Sequence, residues 1–262
     1  PFIAWCVLYA GYYVLSRGDS FSQMALNILH IPVNFGCEIG HLWYIYMLIG
    51  LYLVTPIISP WLQQASKREL EGYLGLWIIT TFLPYIHLVY PEVLGEAFWN
   101  DTPLLYYFTG FIGYFILGYY LKRFGYPSAA LSWIILIVGF ALSAGIFCSR
   151  IDTVPTVPEL ELSWGFCTVN VFLMTLGLFS LIGRLSLKGK NAACKLLSDI
   201  SIKSYGMYLA HILFLNFYYG LFKSISDAAY VTIPLIAVCT FITVYIFVYL
   251  LSYLPKSKYI IG

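Results

Sequence analysis

The sequence predicts an all-α fold, a polytopic membrane bundle of about eight transmembrane helices. Hydrophobic residues make up 61% of the chain and charged residues 10%, where a soluble domain carries about 25% charged residues. The apolar residues arrive in runs of membrane-span length. Leu42 to Leu62 holds no charged side chain, and as a helix its 21 residues rise roughly 31 Å, the thickness of a hydrocarbon core. The basic residues, finally, sort by side once those runs are counted.

Taken in order, the first run is Pro1 to Leu15, followed by a polar connector from Ser16 to Gly40. The second span is Leu42 to Leu62. Pro56 in it withholds the amide that the Tyr52 carbonyl would accept, which predicts a kink. A charged loop precedes the third span, Leu70 to Val89, and an acidic connector follows it. The fourth span, Leu104 to Leu121, contains Gly110, Gly113 and Gly118, which suit close helix contact. The fifth is Leu131 to Cys148 and the sixth Trp164 to Ile182, with a Pro- and Glu-bearing loop between them. Arg184 to Lys203 reads as a basic surface segment. Ser204 to Phe222 and Val231 to Leu254 complete the set.

Eight spans place the connectors in two groups. One holds Lys67, Arg68, Lys122, Arg123, Arg184, Lys188, Lys190, Lys195, Lys203, Lys256 and Lys258. The other holds Arg17, Arg150 and Lys223. The Lys/Arg-rich side is cytoplasmic by the positive-inside rule, so the C-terminus is expected inside a plasma (inner) membrane, and the acidic loops outside. A net charge of +2 gives no case for nucleic acid as a partner. Six scattered cysteines without a CxxC pair support neither a zinc site nor a disulfide framework. The chain opens on Pro1 with no signal peptide before it and reads as part of a longer protein.

Two polar constellations interrupt the apolar pattern. Glu38 and His41 stand about one turn apart at the head of the second span, followed at once by Trp43, Tyr44 and Tyr46. They fit either a hydrated loop end at headgroup level or a polar site at the mouth of a bundle. Ser204, Tyr208 and His211 stand at i, i+4 and i+7, one face of the seventh span. An imidazole roughly 12 Å into a membrane is costly unless it faces the bundle interior or a hydrated cavity. That face suits a polar cluster gluing helices together, or the wall of a cavity for a polar ligand. The two constellations are expected apart, His41 near the outer surface and His211 in the inner half.

The run HLWYIYMLIGLYLVTPII from His41 to Ile58 and the run from Ser201 to His211, with its SYGMYLAH ending, together resemble the acyltransferase-3 family of integral-membrane O-acyltransferases. The likeness extends over the whole chain, so residues 1–262 read as a single transmembrane acyltransferase-like domain lacking its N-terminal part. The resemblance implies transfer of an acyl group, usually acetyl, from cytoplasmic acetyl-CoA or another acyl-CoA to a hydroxyl of a surface polysaccharide or glycolipid, with no metal. The family's essential histidine lies in its first span, and this chain begins where the third begins. No catalytic residue is therefore carried over. Substrate-binding roles fall to Ser204, Tyr208 and His211 on the donor's route and to Glu38, His41 and Trp43 beside the acceptor. Two other classes stay open from the residues themselves, a transporter or flippase of lipid-linked sugars and a ligand-sensing membrane domain of a fusion protein.

Overall fold

A computed structural model describes residues 1–32, 40–94, 104–185, 192–225 and 228–262. Among the described residues the regular structure is all helical, without a strand. The helices are α1 (Phe2–Arg17), α2 (Phe21–His30), α3 (Trp43–Gln64), α4 (Lys67–Thr80), α5 (Leu83–Ile86), α6 (Ile112–Phe124), α7 (Ala129–Arg150), α8 (Val157–Leu160), α9 (Val169–Gly183), α10 (Ala192–Phe222), α11 (Ala229–Leu251) and α12 (Lys258–Ile261). A 3₁₀ turn at Gly40–Leu42 leads into α3.

Among the described residues, three helices are long and apolar enough to cross a membrane: Gly40–Gln64, Ala129–Arg150 and Ala229–Leu251. Val157–Trp164 and Val169–Gly183, bent by 42°, make a fourth if the pair is one span. The chain is a membrane protein, and its other expected spans take different forms. The third breaks after α4, where the Thr80 and Thr81 hydroxyls donate to the Trp77 and Ile78 carbonyls ahead of Pro84. From Ala192 on, the basic segment is continuous with the seventh span in one 31-residue helix, α10. It is long enough to cross, but His211, Asn216 and its tyrosines dilute its apolar character. The Ser16–Gly40 connector holds α2, started by Ser20, whose hydroxyl accepts from the Gln23 amide. α3 continues through both Pro56 and Pro60.

The chain divides into two compact units. Pro1–Gly50 with Leu187–Gly262 form the first. Its core joins Trp5, Tyr9 and Tyr13 of α1, Leu42, Leu209 and Ala210 of α10, Val244 and Val248 of α11, and Ile261 of α12. Gly18, at φ 76°, ends α1 in the left-handed conformation that glycine adopts without steric cost. The Trp5 indole N–H donates to the Ile260 carbonyl over 2.8 Å, pinning α12 to α1.

Leu51–Ser186 form the second unit. Trp77 of α4, fully buried, packs on Tyr114 and Phe172 and donates to the Gly110 carbonyl at 3.0 Å. α7 and α9 lie close enough that a Cβ on Gly177 would sit 2.7 Å from the Leu136 amide nitrogen and the Ser132 carbonyl. Asn170 is fully buried in this unit. Its amide donates to Ser143 and the Ser163 carbonyl, and its oxygen accepts from the Tyr85 hydroxyl.

Candidate functional site

The candidate site lies in the first unit and begins with α10. Helical spacing puts Ser204, Tyr208, His211 and Leu215 along one stripe, and all four line a cavity of about 450 Å³. α11 supplies the opposite wall through Ala237, Thr240, Phe241 and Val244. Ile200 and Met207 add further apolar surface.

His41 sits on the 3₁₀ turn that starts α3, and its imidazole meets that of His211 edge to face, with ring centroids 5.1 Å apart. The expected separation of the two histidines into outer and inner halves is thus corrected. The reason is a set of contacts that no single helix contains. The Tyr208 hydroxyl donates to the His41 carbonyl across 167 residues of sequence. Tyr9 of α1 packs edge-on against His41 at 5.1 Å and donates its hydroxyl to the Leu209 carbonyl at 2.8 Å. Tyr44 closes on the Tyr208 ring at 5.5 Å.

The two imidazoles differ in what they offer. His211 Nδ1 lies 2.6 Å from the Tyr208 carbonyl oxygen. A carbonyl only accepts, so Nδ1 carries a proton, and Nε2 is the nitrogen that holds the lone pair whenever the ring is neutral. His41 Nε2 is buried and has no hydrogen-bond partner among the described residues. An imidazole nitrogen left so in a low-dielectric setting is costly.

Of the other expected site residues, Ser204 lines the cavity and donates to the Ser201 carbonyl. The Trp43 ring stands edge-on to Tyr44 at 6.2 Å, one residue from the cluster. Glu38 lies outside the described residues. Tyr9 and Thr240 are not singled out by the sequence, and Tyr44 figures there only as a headgroup-level aromatic. Trp5, Tyr9 and Tyr13 recur every four residues in α1, a stripe that could have drawn attention to Tyr9.

Near the start of α10, Asp199 is paired with Lys203 and accepts from the Tyr245 hydroxyl at 2.7 Å. The hydrogen bonds from Lys203 and Tyr245 hold its carboxyl below the usual carboxylate range. Lys203 also stands 5.2 Å over the Tyr249 ring, so this group ties α10 to α11 beside the cavity. Among the described residues, no three His, Cys, Asp or Glu side chains are grouped to hold a metal ion.

The family model for the acyltransferase domain, Acyl_transf_3, matches residues 1–253. The chain belongs to the acyltransferase-3 family. No curated protein and no solved structure matches it. As an acyltransferase domain in a membrane, it has a catalytic task, and both histidines of the cluster fall within the matched range.

Proposed function

We propose that this acyltransferase moves an acyl group from an acyl-CoA to a hydroxyl of a cell-surface polysaccharide or glycolipid, and that the His41–His211 pair binds and orients the reacting groups. Acetyl is the acyl group that the resemblance implies, and the C-terminus and the donor are placed on the cytoplasmic side of a plasma membrane. The pairing of His41 with His211 carries this reading. Two imidazoles in contact, His211 with its Nδ1 proton held by a backbone carbonyl so that Nε2 accepts when the ring is neutral, are suited to hold a hydroxyl at the edge of the cavity. In the reaction, the hydroxyl oxygen bonds the acyl carbon, the thioester C–S bond breaks, and the hydroxyl proton passes through a base to the departing thiolate. Holding both reactants removes much of the entropic part of that barrier. Ser204 and Tyr208 continue the polar face on the donor's side, and Trp43 and Glu38 are assigned to the acceptor.

Transfer of radiolabel from acetyl-CoA and longer acyl-CoAs to membrane glycans tests this. The full-length protein, with the N-terminal spans that the resemblance implies, should label a hydroxyl acceptor. His211→Ala should lower transfer by roughly 2- to 150-fold at unchanged abundance, the range for losing a neutral to a charged hydrogen bond. No transfer by the wild type to any hydroxyl acceptor would sink the proposal. Unchanged activity per folded molecule in both His41→Ala and His211→Ala would make the pair purely structural.

A further inference from the structure

We propose that the cavity between α10 and α11 binds the carbonyl and alkyl chain of the transferred acyl group, and that this group is longer than acetyl. This rests on the acyltransferase reading above and adds to it a substrate class.

Size is the first consideration. The cavity holds about 450 Å³, inside the range of about 300–1,000 Å³ typical of small-molecule pockets. An acetyl group ends in a single methyl, close in size to a water molecule that takes about 30 Å³, so it would leave most of this space empty. The lining is the second. Ile200, Met207, Leu215, Ala237, Phe241 and Val244 make walls that suit methylenes and penalise hydroxyls. A sugar or the nucleotide part of a donor would bring many polar groups against those walls.

Thr240 supplies the third and most specific observation. It is 5% exposed, lines the cavity, and its hydroxyl has no partner among the described residues. Other helical threonines here behave differently. Thr55 and Thr232 return their hydroxyls to the carbonyls four residues back, Leu51 and Ala228. A buried hydroxyl left unmade in an apolar setting is costly, and a ligand carbonyl would supply its acceptor once the side chain turns toward the cavity it lines. An acyl group presents one such carbonyl oxygen, attached to an alkyl chain that the walls accommodate. The same cavity is edged by His211, so a chain seated there keeps its carbonyl beside the histidine pair.

The test uses the full chain in lipid nanodiscs with a photoactivatable methyl ester of octanoic acid, and cross-links are mapped by mass spectrometry. Labelling is expected at residues lining the α10–α11 cavity. Competition by acyl-CoAs should strengthen about fourfold per added methylene from acetyl to octanoyl. Ala237→Phe, which fills the cavity, should weaken labelling at least tenfold. Val238→Phe, on the exposed side of the same helix, should leave it unchanged and controls for folding. Thr240→Val keeps the shape and should weaken octanoyl-CoA competition about two- to twelvefold. A flat competition series, or labelling indifferent to Ala237→Phe, would overturn the pocket. Displacement by short-chain phosphatidylcholine as readily as by octanoyl-CoA would overturn it too, making the cavity a lipid groove. Transfer is measured in parallel on the same samples. Chain-length-dependent labelling without transfer to any hydroxyl would overturn the acyltransfer reading alone. Transfer that is equal from acetyl and octanoyl donors and unaffected by Ala237→Phe would overturn the pocket alone.

Discussion

His41 and His211 show how a residue's chemistry is set by the atoms around it. His211 has its tautomer fixed by the backbone carbonyl of Tyr208, one turn earlier on its own helix. His41 has its place fixed from outside, by the Tyr208 hydroxyl on its carbonyl and the Tyr9 ring on its imidazole. Tyr208→Phe removes that hydroxyl and leaves the His41 carbonyl short of a donor. The expected cost is about 1–3 kcal/mol of stability, read as a lower melting temperature in detergent, with transfer activity falling further than folded protein does. Asn170 gives a case in the second unit without bearing on the chemistry. Asn170→Ala strips partners from Tyr85, Ser143 and the Ser163 carbonyl together, and should destabilise by about 1–3 kcal/mol while leaving the activity of folded molecules intact.

Among the elements, α4 is the one whose start is fully specified by local chemistry. The Ser66 hydroxyl accepts from the Glu69 amide, and the Glu69 carboxylate accepts from the Ser66 amide at 2.7 Å. Hydrogen bonding to the carboxylate from the Ser66 side chain, and then from its backbone amide, holds the Glu69 carboxyl below its usual range. A carboxyl depressed in the folded state stabilises above its unfolded value, and that stabilisation is lost as pH falls through the folded value. Ser66→Ala should cost about 1 kcal/mol at neutral pH, and the deficit should shrink in melts taken on the acid side of the carboxylate range. The α7–α9 pair depends instead on a missing side chain. Gly177→Val would push carbon into the backbone of α7 and should destabilise by about 1–3 kcal/mol. Gly145→Ala, with nothing within 4 Å of the new Cβ, should stabilise α7 by about 0.5–1 kcal/mol in the same measurement.

For the whole molecule, the proposed orientation rests on the distribution of basic residues. α7 is apolar over its length and follows Lys122 and Arg123, while Arg150 and Asp152 mark its far end. The positive-inside rule then puts Ser128 on the cytoplasmic side and Asp152 outside. In a background without native cysteines, an impermeant maleimide should label Asp152→Cys in intact cells and Ser128→Cys only after permeabilisation. The reverse pattern would invert the topology and move the donor side of the proposed reaction with it.

Membrane residence, helical class and the single polar face of Ser204, Tyr208 and His211 were determined by sequence alone. Composition fixes the solvent a chain can tolerate, and a 3.6-residue period fixes which side chains share a face. α7 and α11 were legible as spans for the same reason, because long uncharged runs leave few alternatives. Other boundaries were not. α10 starts at Ala192 and enters the seventh span without a break, and Asp199 in its first turns is held by Lys203 and by Tyr245 of another helix. The contact of His41 with His211 belongs wholly to the tertiary structure. It joins residues 170 positions apart, through hydrogen bonds and ring edges contributed by α1, the turn before α3 and α10. Thr240 is the same kind of case. A threonine in an apolar helix is ordinary in sequence, and only packing decides whether its hydroxyl turns back to its own backbone or stays buried and unpartnered beside a cavity.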